Sequence, residues 1–397
     1  MTSPRPDPVR LDEPLIQAGA IRSLYVHAPF CSRRCFYCDF AVKVAPRGDA
    51  AEWTYALAGE LSSLEQEGLF LLGDSLDTLY VGGGTPSLLS SGAMEALRHV
   101  VGEERLQSDG LEWTSEANPE SFTSDVAEGW IRSGVNRVSL GVQSFHEPSL
   151  RWMGRLHGAD GADTAVRTAR AAGFENLSVD LIFGLPEHLG RDLESDLDRV
   201  LALDVDHVSL YGLSVESGTP LGRSVAEGRE VVATEERYES EYLTAVERLT
   251  SGGYEAYEVS NLARSGRVSR HNMAYWSGEP YLGLGNGAHS YHHPVRRWNL
   301  RDWDAYRVGA AGGSPPVEDH ERLDHDKVRL ERIWLGLRTT RGVEISPLPV
   351  GAKERVDRWI DGGLAVESGG AVRLTPAGWL IMDRLTVELD REVSPVD

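Results

Sequence analysis

Short apolar runs alternate with amphipathic segments through the first half of the chain. Apolar or alternating runs predict six strands, at Leu24–Ala28, Thr78–Gly82, Leu111–Glu116, Arg137–Val142, Leu177–Phe183 and Val208–Leu213. Between the first two runs, Leu57, Leu61 and Leu64 recur at the spacing of one helix face. This alternation indicates an α/β fold with a parallel sheet and right-handed crossovers. Six such units can form an open (β/α)6 arrangement, a partial version of the eightfold TIM-like barrel.

The pattern changes after the sixth predicted strand. Thr234 can cap a helix, and residues 254–320 are aromatic and rich in glycine, with little periodicity. Residues 321–397 predict two helices, a hairpin that turns at Gly369 and Gly370, and a final helix, an order that resembles a winged-helix module. We therefore expect three parts: a flexible tail at residues 1–20, a core at residues 21–320 and a smaller winged-helix-like domain at residues 321–397.

Charge limits the classes of partner. The 397 residues carry a formal net charge of −21, which argues against a nucleic-acid partner. Residues 322–397 hold 12 basic and 13 acidic side chains, so the winged-helix-like domain is better suited to packing or partner docking than to DNA. No apolar run approaches the ~20 residues that cross a bilayer, and residues 1–11 lack the apolar core of a signal peptide. We expect a cytoplasmic protein, with peripheral contact to a membrane-bound client left open.

All three cysteines fall within eight residues, at Cys31, Cys35 and Cys38. A disulfide framework requires an even number of cysteines in a small secreted chain, and tetrahedral zinc requires four ligands. Iron–sulfur clusters are normally held by four cysteines, so the C-x3-C-x2-C spacing favours a [4Fe–4S] cluster with one iron open to a small chelating ligand. The alternatives are a zinc site completed by His27 and three unrelated buried thiols.

Together with residues 24–30 (Leu-Tyr-Val-His-Ala-Pro-Phe), this spacing resembles the signature of the radical S-adenosylmethionine (SAM) superfamily. The resemblance is to the branch that contains oxygen-independent coproporphyrinogen III oxidases and heme chaperones of the HemW family. It implies that SAM chelates the open iron of the cluster, and that an outside electron donor supplies the electron that cleaves SAM. It also implies a partial (β/α)6 barrel, in agreement with the strand and helix pattern.

Candidate SAM contacts stand at the ends of the predicted strands, where parallel α/β sheets bind ligands. Gly83, Gly84 and Thr85 match the family's GGGTP element, whose backbone meets the methionyl amino group. The resemblance assigns further SAM contacts to Tyr25, Glu116, Gln143, Arg155, Asp180, Ile182, Tyr211 and Gly212. Without the resemblance, a glycine turn, a helix-capping acid and surface polar residues would explain most of these positions.

Two further motifs distinguish the members of that branch. The oxidases have a fourth cysteine two residues after the third, where this chain has Phe40, as HemW-like proteins do. Residues 271–276 resemble the H-N-x-x-Y-W heme-binding motif of the same proteins. The heme-binding candidates are therefore His271, Asn272, Tyr275 and Trp276, with His271 as the leading heme ligand. On its own, this pattern would be read as a packed polar loop.

The resemblance implies a heme chaperone that binds heme and transfers it to client hemoproteins, with membrane-bound respiratory enzymes among the conceivable clients. One alternative is an oxygen-independent coproporphyrinogen III oxidase, which would decarboxylate two propionates to give protoporphyrinogen IX. Another is a radical SAM enzyme acting on an unrelated substrate. Whether the protein is an enzyme is left open, because the sequence does not say whether SAM is cleaved. Homodimers are known among the relatives, and no segment here demands one.

Overall fold

A computed structural model describes residues 7–11 and 19–394 of the chain. In the first part, strands alternate with helices as the sequence predicts. The strands are β1 (Ser23–Ala28), β2 (Phe30–Cys31), β3 (Lys43–Val44), β4 (Thr78–Gly83), β5 (Glu112–Ala117), β6 (Arg137–Gln143), β7 (Asn176–Phe183) and β8 (His207–Gly212). The helices are α1 (Ala50–Glu67), α2 (Ala93–Val101), α3 (Ser124–Ser133), α4 (Glu147–Met153), α5 (Gly161–Ala172), α6 (Leu193–Leu203), α7 (Pro220–Ala226) and α8 (Glu235–Ser251).

The six predicted strands are β1 and β4 to β8, which lie side by side in that order. Every neighbouring pair is parallel. Most of their residues are buried, which is why they appear in the sequence as nearly continuous apolar runs. The predicted α/β fold with six parallel strand–helix units is therefore confirmed. The sheet is open, since its two edge strands do not pair with each other within the described residues.

Residues 254–320 extend this sheet at both edges. The added elements are β9 (Glu255–Glu258), β10 (Asn261–Ala263), α9 (Arg270–Trp276), β11 (Tyr281–Leu284), β12 (His289–His292), β13 (Val295–Asn299), α10 (Trp303–Ala311) and β14 (Val317–Arg322). The 12-stranded order is β14-β13-β12-β11-β1-β4-β5-β6-β7-β8-β10-β9. Strand β11 is parallel to β1, and the other added strands are antiparallel to their neighbours.

The C-terminal part has the predicted winged-helix-like order with one additional short strand. Its elements are α11 (His325–Arg338), β15 (Val343–Glu344), α12 (Val350–Asp361), β16 (Ala365–Ser368), β17 (Ala371–Leu374), α13 (Pro376–Trp379) and α14 (Met382–Val393). Strands β15, β17 and β16 form a small sheet, and the β16–β17 hairpin turns at Gly369 and Gly370, as predicted. The expected final helix is two helices, because the chain breaks after Trp379.

Contacts join this C-terminal part to the rest of the chain. Arg338 forms an ion pair with Glu258, with 2.8 Å between Nη2 and the carboxylate oxygen, and lies over the Trp276 ring. The Val9 amide donates to the Gly342 carbonyl oxygen at 2.9 Å, so residues 7–11 are held against the C-terminal part. The rest of the predicted tail, residues 1–6 and 12–18, lies outside the described residues. The domain limits near residues 20 and 320 stay predictions. Among the helices described, none has the length and apolar character needed to cross a membrane.

Candidate functional site

One cavity of about 1220 Å³ collects nearly all the predicted site residues. Small-molecule sites commonly occupy about 300–1,000 Å³, so this space has room for more than one ligand. The three cysteines and all eleven predicted SAM contacts line it: Tyr25, Cys31, Cys35, Cys38, Gly83, Gly84, Thr85, Glu116, Gln143, Arg155, Asp180, Ile182, Tyr211 and Gly212. Of the heme-binding candidates, Tyr275 and Trp276 line the cavity, whereas His271 and Asn272 are not among its lining residues.

The cavity has two chemically different ends. Cys31 follows β1, so the three cysteines lie beyond the C-terminal ends of the parallel strands; we call this part the cysteine end. Tyr281 is the first residue of β11 and is in register with Ser23 at the start of β1, which places it at the opposite end of the strands. We call the part lined by Tyr275, Trp276, Tyr281, Tyr291 and Trp334 the aromatic end.

Each cysteine sulfur has a donor close to it. The pairs are Thr85 Oγ1 to Cys31 Sγ at 3.4 Å, Arg155 Nη1 to Cys35 Sγ at 3.9 Å, and the Phe40 amide to Cys38 Sγ at 3.4 Å. Burial, opposed by the hydrogen bond with Thr85 and helped by the neighbouring thiols, raises the pKa of the Cys31 thiol to about 11. Burial also raises the pKa of Cys38. Bare thiolates are therefore disfavoured, and a bound iron cluster that replaces the protons would stabilise the sulfur charges.

The geometry does not favour the zinc alternative. Both ring nitrogens of His27 are engaged, Nδ1 with the Tyr25 hydroxyl at 3.0 Å and Nε2 with the Ala41 carbonyl oxygen at 2.9 Å. Among the described residues, the group of three potential metal ligands whose atoms all lie within 4.8 Å is exposed and consists of Glu95, His99 and Glu103. The three cysteine sulfurs do not form such a group, so they lie farther apart than sulfurs that bind one zinc ion through bonds of about 2.3 Å. A larger iron–sulfur cluster needs this wider separation.

Two half-buried acids, Glu116 on β5 and Asp180 on β7, face the cavity. Glu116, near the end of β5, accepts hydrogen bonds from the Tyr80 hydroxyl at 2.8 Å and from the Gly83 amide at 3.0 Å. Burial and the charge of Asp180 raise the pKa of Glu116 to about 7. Asp180 accepts from Ser139 Oγ at 3.1 Å, and burial raises its pKa as well. Two acids that are costly to ionise alone suit a ligand that brings positive charge and hydroxyl donors.

Arg155 ties the cysteine loop to the strand ends. Its Nη2 donates to Asn118 Oδ1 at 2.7 Å and to the Gly141 carbonyl oxygen at 2.5 Å, while Nη1 approaches Cys35. In the described part of the chain its buried Nε has no hydrogen-bond partner. Gln143 lies beside it with a φ of 68°, in a register shift between β6 and β7 that redirects the end of β6.

Gly83 and Gly84 let β4 approach the first strand closely. A Cβ on Gly83 would lie 2.3 Å from the His27 ring, and one on Gly84 would lie 2.7 Å from the Ala28 carbonyl oxygen. Gly83 also has a φ of 104°, which glycine adopts without steric cost. Any other residue at either position would therefore push β4 away from the strand that carries the cysteine loop.

The other predicted SAM contacts come from β1, β7 and β8. Tyr25 stacks on Tyr80 with ring centroids 6.2 Å apart. Ile182 and Tyr211 are register partners in the parallel pair β7–β8, and Gly212 follows directly. The Tyr211 side chain is 44% exposed although its strand lies within the sheet, so its ring meets the open cavity. These apolar and aromatic surfaces suit a flat heterocycle such as adenine.

His271 is buried beneath the aromatic end. Its Nδ1 lies 2.7 Å from Thr78 Oγ1, and its Nε2 lies 2.8 Å from the Tyr275 hydroxyl. The ring stacks on Tyr80, and burial lowers the pKa of His271 to about 3. Because both nitrogens are engaged, His271 holds Tyr275 in position and would reach a heme iron only after Tyr275 moved aside. Asn272 shares the first turn of α9. Iron ligation by His271 stays a prediction.

The structure adds cavity residues that the sequence analysis did not single out. They are Tyr281, His289, Tyr291, His293, Arg296, Trp334 and Arg341. Aromatic side chains at residues 289, 291 and 293 alternate with a serine and a histidine on the other face, which is a strand signature. That signature could have predicted strand β12 and its cavity-facing side chains, but the run is short and lies between glycines and a proline.

Comparisons with known proteins agree with this geometry. The profile of the Radical SAM superfamily matches residues 25–200. The heme chaperone HemW of Mycobacterium tuberculosis (strain CDC 1551 / Oshkosh) is 35% identical over 382 residues, which cover 96% of this chain and 97% of that protein. The heme chaperone HemW of Bacillus subtilis (strain 168) is 34% identical over 379 residues, which cover 91% of this chain and 97% of that protein.

A solved structure shows the same fold. The coproporphyrinogen III oxidase HemN from Escherichia coli, a radical SAM enzyme, superimposes with a TM-score of 0.76 over 94% of this chain and 90% of that one. At 22% identity this likeness concerns the fold alone. The identity to the HemW proteins extends over nearly the whole length of both chains, and the cysteine loop lies within the superfamily match. The chain therefore belongs to the HemW family of the radical SAM superfamily.

Proposed function

We propose that the protein is a heme chaperone that holds a SAM-binding [4Fe–4S] cluster at the cysteine end of its cavity and heme at the aromatic end. The observation that carries this proposal is that one cavity is lined by the three cysteines, the predicted SAM contacts, Tyr275 and Trp276. Membership of the HemW family supports heme as the cargo. In this proposal the two groups share one cavity and occupy its opposite ends.

The cysteine end fits the cluster and SAM. The three cysteines would hold three irons, and when bound the cluster and SAM supply one-electron chemistry that side chains cannot. In this proposal Glu116 and Asp180 accept hydrogen bonds from the ammonium group and the ribose hydroxyls of SAM. Arg155 offers a planar donor for the SAM carboxylate. The protein thus orients SAM, and the cavity walls shield the bound SAM from water.

The aromatic end fits a flat apolar ligand. Tyr275 and Trp276 present ring surfaces on which a porphyrin can stack. His271 supports Tyr275 through the 2.8 Å contact between its Nε2 and the tyrosine hydroxyl. Asn272 completes the motif on the same short helix. In this proposal the four residues form one unit that shapes the floor of the heme site.

The proposal includes partners outside the chain. Client hemoproteins, including membrane-bound ones, would take up the heme, and a separate donor would reduce the cluster. We place the protein in the cytoplasm, where cysteine thiols stay reduced. A net charge of −21 speaks against nucleic acid as a partner. The proposal also includes a homodimer, as the resemblance to the family implies.

The test combines two assays on one anaerobic sample of cluster-loaded protein. Hemin is titrated against the protein, and the loaded protein is then mixed with an apo-hemoprotein to measure transfer. In parallel, reductant, SAM and coproporphyrinogen III are added, and protoporphyrinogen IX is sought. Stoichiometric heme binding and transfer without porphyrinogen turnover is the expected result. Turnover to protoporphyrinogen IX, or failure to bind hemin, would overturn the chaperone proposal in favour of the oxidase or of an unrelated substrate.

A further inference from the structure

One face of β12 forms a wall of the cavity. His289 and Tyr291 line the cavity from alternate positions of the strand, and His293 follows directly. Between them, Ser290 points the other way and bonds to Gly283, and His292 packs edge-on against Phe70. Because β12 runs antiparallel to β11, His289 lies closer to the cysteine end than Tyr291 does.

Aromatic rings line both this wall and the opposite wall, which helix α11 forms, and an ion pair joins the two. Tyr281 of β11 and Arg296 of β13 both pair with Tyr291, and their side chains contact its ring. Helix α11 lies across the cavity, where Arg296 forms an ion pair with Glu331. Trp334 on the same helix meets Trp276 edge-on, with ring centroids 6.3 Å apart. The result is a slot between a pleated strand face and a helix, with flat rings on both sides.

His289 has both ring nitrogens available in this slot, whereas Nδ1 of the neighbouring His293 lies 3.5 Å from the Tyr291 hydroxyl. Its side chain is exposed to the cavity, and its ring stacks on Trp298 with centroids 5.7 Å apart at an angle of 25°. Neither ring nitrogen has a hydrogen-bond partner within residues 7–11 and 19–394, in contrast to His27 and His271. Burial and the charges of Arg296 and Arg301 lower its pKa, so the imidazole is neutral at pH 7, the form that binds metal.

Arg341 supplies a positive charge to the same slot. Its Nη1 donates to Ser277 Oγ at 2.8 Å, and its Nε donates to the Asp7 carbonyl oxygen at 2.8 Å. No carboxylate lies within 4.0 Å of this guanidinium in the part of the chain that is described, and burial lowers its pKa, although the more distant charges of Glu279 and Asp7 oppose that shift. A half-buried guanidinium without a close ion pair can pair with an anionic ligand group.

From these observations we infer that heme lies in the slot between β12 and α11, with His289 as its axial iron ligand and Arg341 paired with one propionate. This inference rests on the proposed function and makes it specific. The ring surfaces of Tyr281 and Tyr291 contact the macrocycle, and the imidazole stacked on Trp298 is held at a fixed angle to it. His271 then has a supporting role, through Tyr275.

The first experiment compares histidine variants of the full chain with the cluster loaded. Hemin is titrated and followed by difference absorption and by electron paramagnetic resonance of the ferric heme. His289→Ala is expected to lose the nitrogen-ligated signature and to weaken hemin binding about tenfold, which corresponds to about 1.4 kcal/mol. Added imidazole should restore the signature. His292→Ala, on the opposite face of the same strand, is the matched control and should behave as wild type.

The outcomes separate this inference from the function it rests on. If wild type does not bind hemin, the chaperone proposal fails. If wild type binds hemin and His289→Ala keeps the wild-type spectrum and affinity, the chaperone proposal stands and the assignment of His289 is overturned. If His271→Ala alone loses the nitrogen signature, His271 is the ligand. Circular dichroism and iron content show that each variant is folded and loaded.

The second experiment tests the propionate contact. Arg341→Gln is expected to weaken hemin binding about threefold to tenfold, because a charge-assisted pair is lost. Hemin dimethyl ester, whose propionates are neutral, should bind wild type and Arg341→Gln equally. An equal loss with both ligands would mean that Arg341 shapes the slot without pairing with a propionate, and would overturn that part of the inference.

Discussion

The two ends of the cavity differ in how their side chains are engaged before any ligand arrives. At the cysteine end, Glu116, Asp180 and Arg155 each hydrogen-bond to other protein groups, so their positions are set. At the aromatic end, rings meet edge-on. In the adjoining slot, His289 stacks on Trp298 and has no hydrogen-bond partner among the described residues. The first arrangement suits a ligand that stays in one orientation, and the second suits a flat ligand that enters and leaves.

The difference follows from the strands that build each end. Parallel β/α units bring polar residues from successive strand ends to one edge of the sheet. The antiparallel strands β11 to β13 instead present alternate side chains as a pleated face. A fixed cofactor site and an exchangeable cargo site therefore arise from two parts of one sheet. If that division is correct, changes at one end should affect one ligand and leave binding of the other intact.

Removal of all three thiols should have the largest effect. Cys31, Cys35 and Cys38 changed together to Ser should abolish the iron content, about four per chain when loaded, and SAM binding with it. Hemin affinity of the same protein should fall by less than about twofold, because the aromatic end keeps its contacts. Iron analysis and equilibrium dialysis with SAM measure the first effect, and hemin titration measures the second.

The matched control for that experiment is Ser32→Ala, which changes the same loop and keeps the thiols. It should retain iron and SAM binding. Loss of hemin binding in the folded triple variant would show that the two ends form one site, contrary to the division drawn here. Retention of SAM by the iron-free protein would show that the strand-end residues hold SAM without the cluster.

Asp180→Asn should weaken SAM binding about tenfold or more, because a charged acceptor for a hydroxyl donor is lost. The free energy of unfolding should not fall. Burial raises the pKa of Asp180 because ionising its carboxyl group there is unfavourable, and an uncharged amide avoids that cost. Calorimetry with cluster-loaded protein measures the affinity, and urea unfolding measures the stability. Asp198→Asn, an exposed acid on α6, is the control and should change neither. Equal SAM affinity in Asp180→Asn would remove this residue from the site.

The affinity for SAM should depend on pH through Glu116. Its pKa of about 7 in the free protein, raised by burial and by Asp180, means that it is largely protonated at pH 6 and largely ionised at pH 8. A cationic ligand favours the ionised form, so affinity should rise at most about tenfold from pH 6 to pH 8 and then level off. Asp180 faces Glu116 and changes affinity in the same direction, while Arg137 and the hydrogen bond from Tyr80 lower the pKa of Glu116.

Isothermal titration across this pH range, with Glu116→Gln as the comparison, checks the prediction. The variant should bind more weakly at pH 8 and show a flatter profile. A wild-type profile that falls with rising pH would mean that SAM does not place its positive charge beside Glu116. Hemin binding should follow neither profile, since Glu116 is not part of the aromatic end.

The predictable and unpredictable parts of the molecule divide in the same way. The six parallel strands could be predicted from the sequence because burial makes most of them apolar or alternating runs. Strand β11 has four residues, and Gly283 interrupts it because a Cβ there would lie 2.1 Å from the His289 carbonyl oxygen. The sequence pattern therefore does not predict β11, or the antiparallel strand β12 that pairs with it and carries His289. The burial of His271 depends on Thr78, 193 residues away in the chain, which no local pattern reveals.

The last prediction concerns the contact between His271 and Tyr275, and its loss should affect stability without affecting either ligand. Tyr275→Phe removes the hydroxyl that lies 2.8 Å from the buried His271 Nε2, and leaves that nitrogen without its partner. The free energy of unfolding should fall by about 1–3 kcal/mol, measured by urea unfolding, while Tyr55→Phe, at an exposed ring, should change nothing. If His289 binds the iron, the heme spectrum of Tyr275→Phe stays that of wild type. If freeing His271 instead produces a second nitrogen ligand in the spectrum, the aromatic floor can open, and the motif histidine reaches heme during transfer.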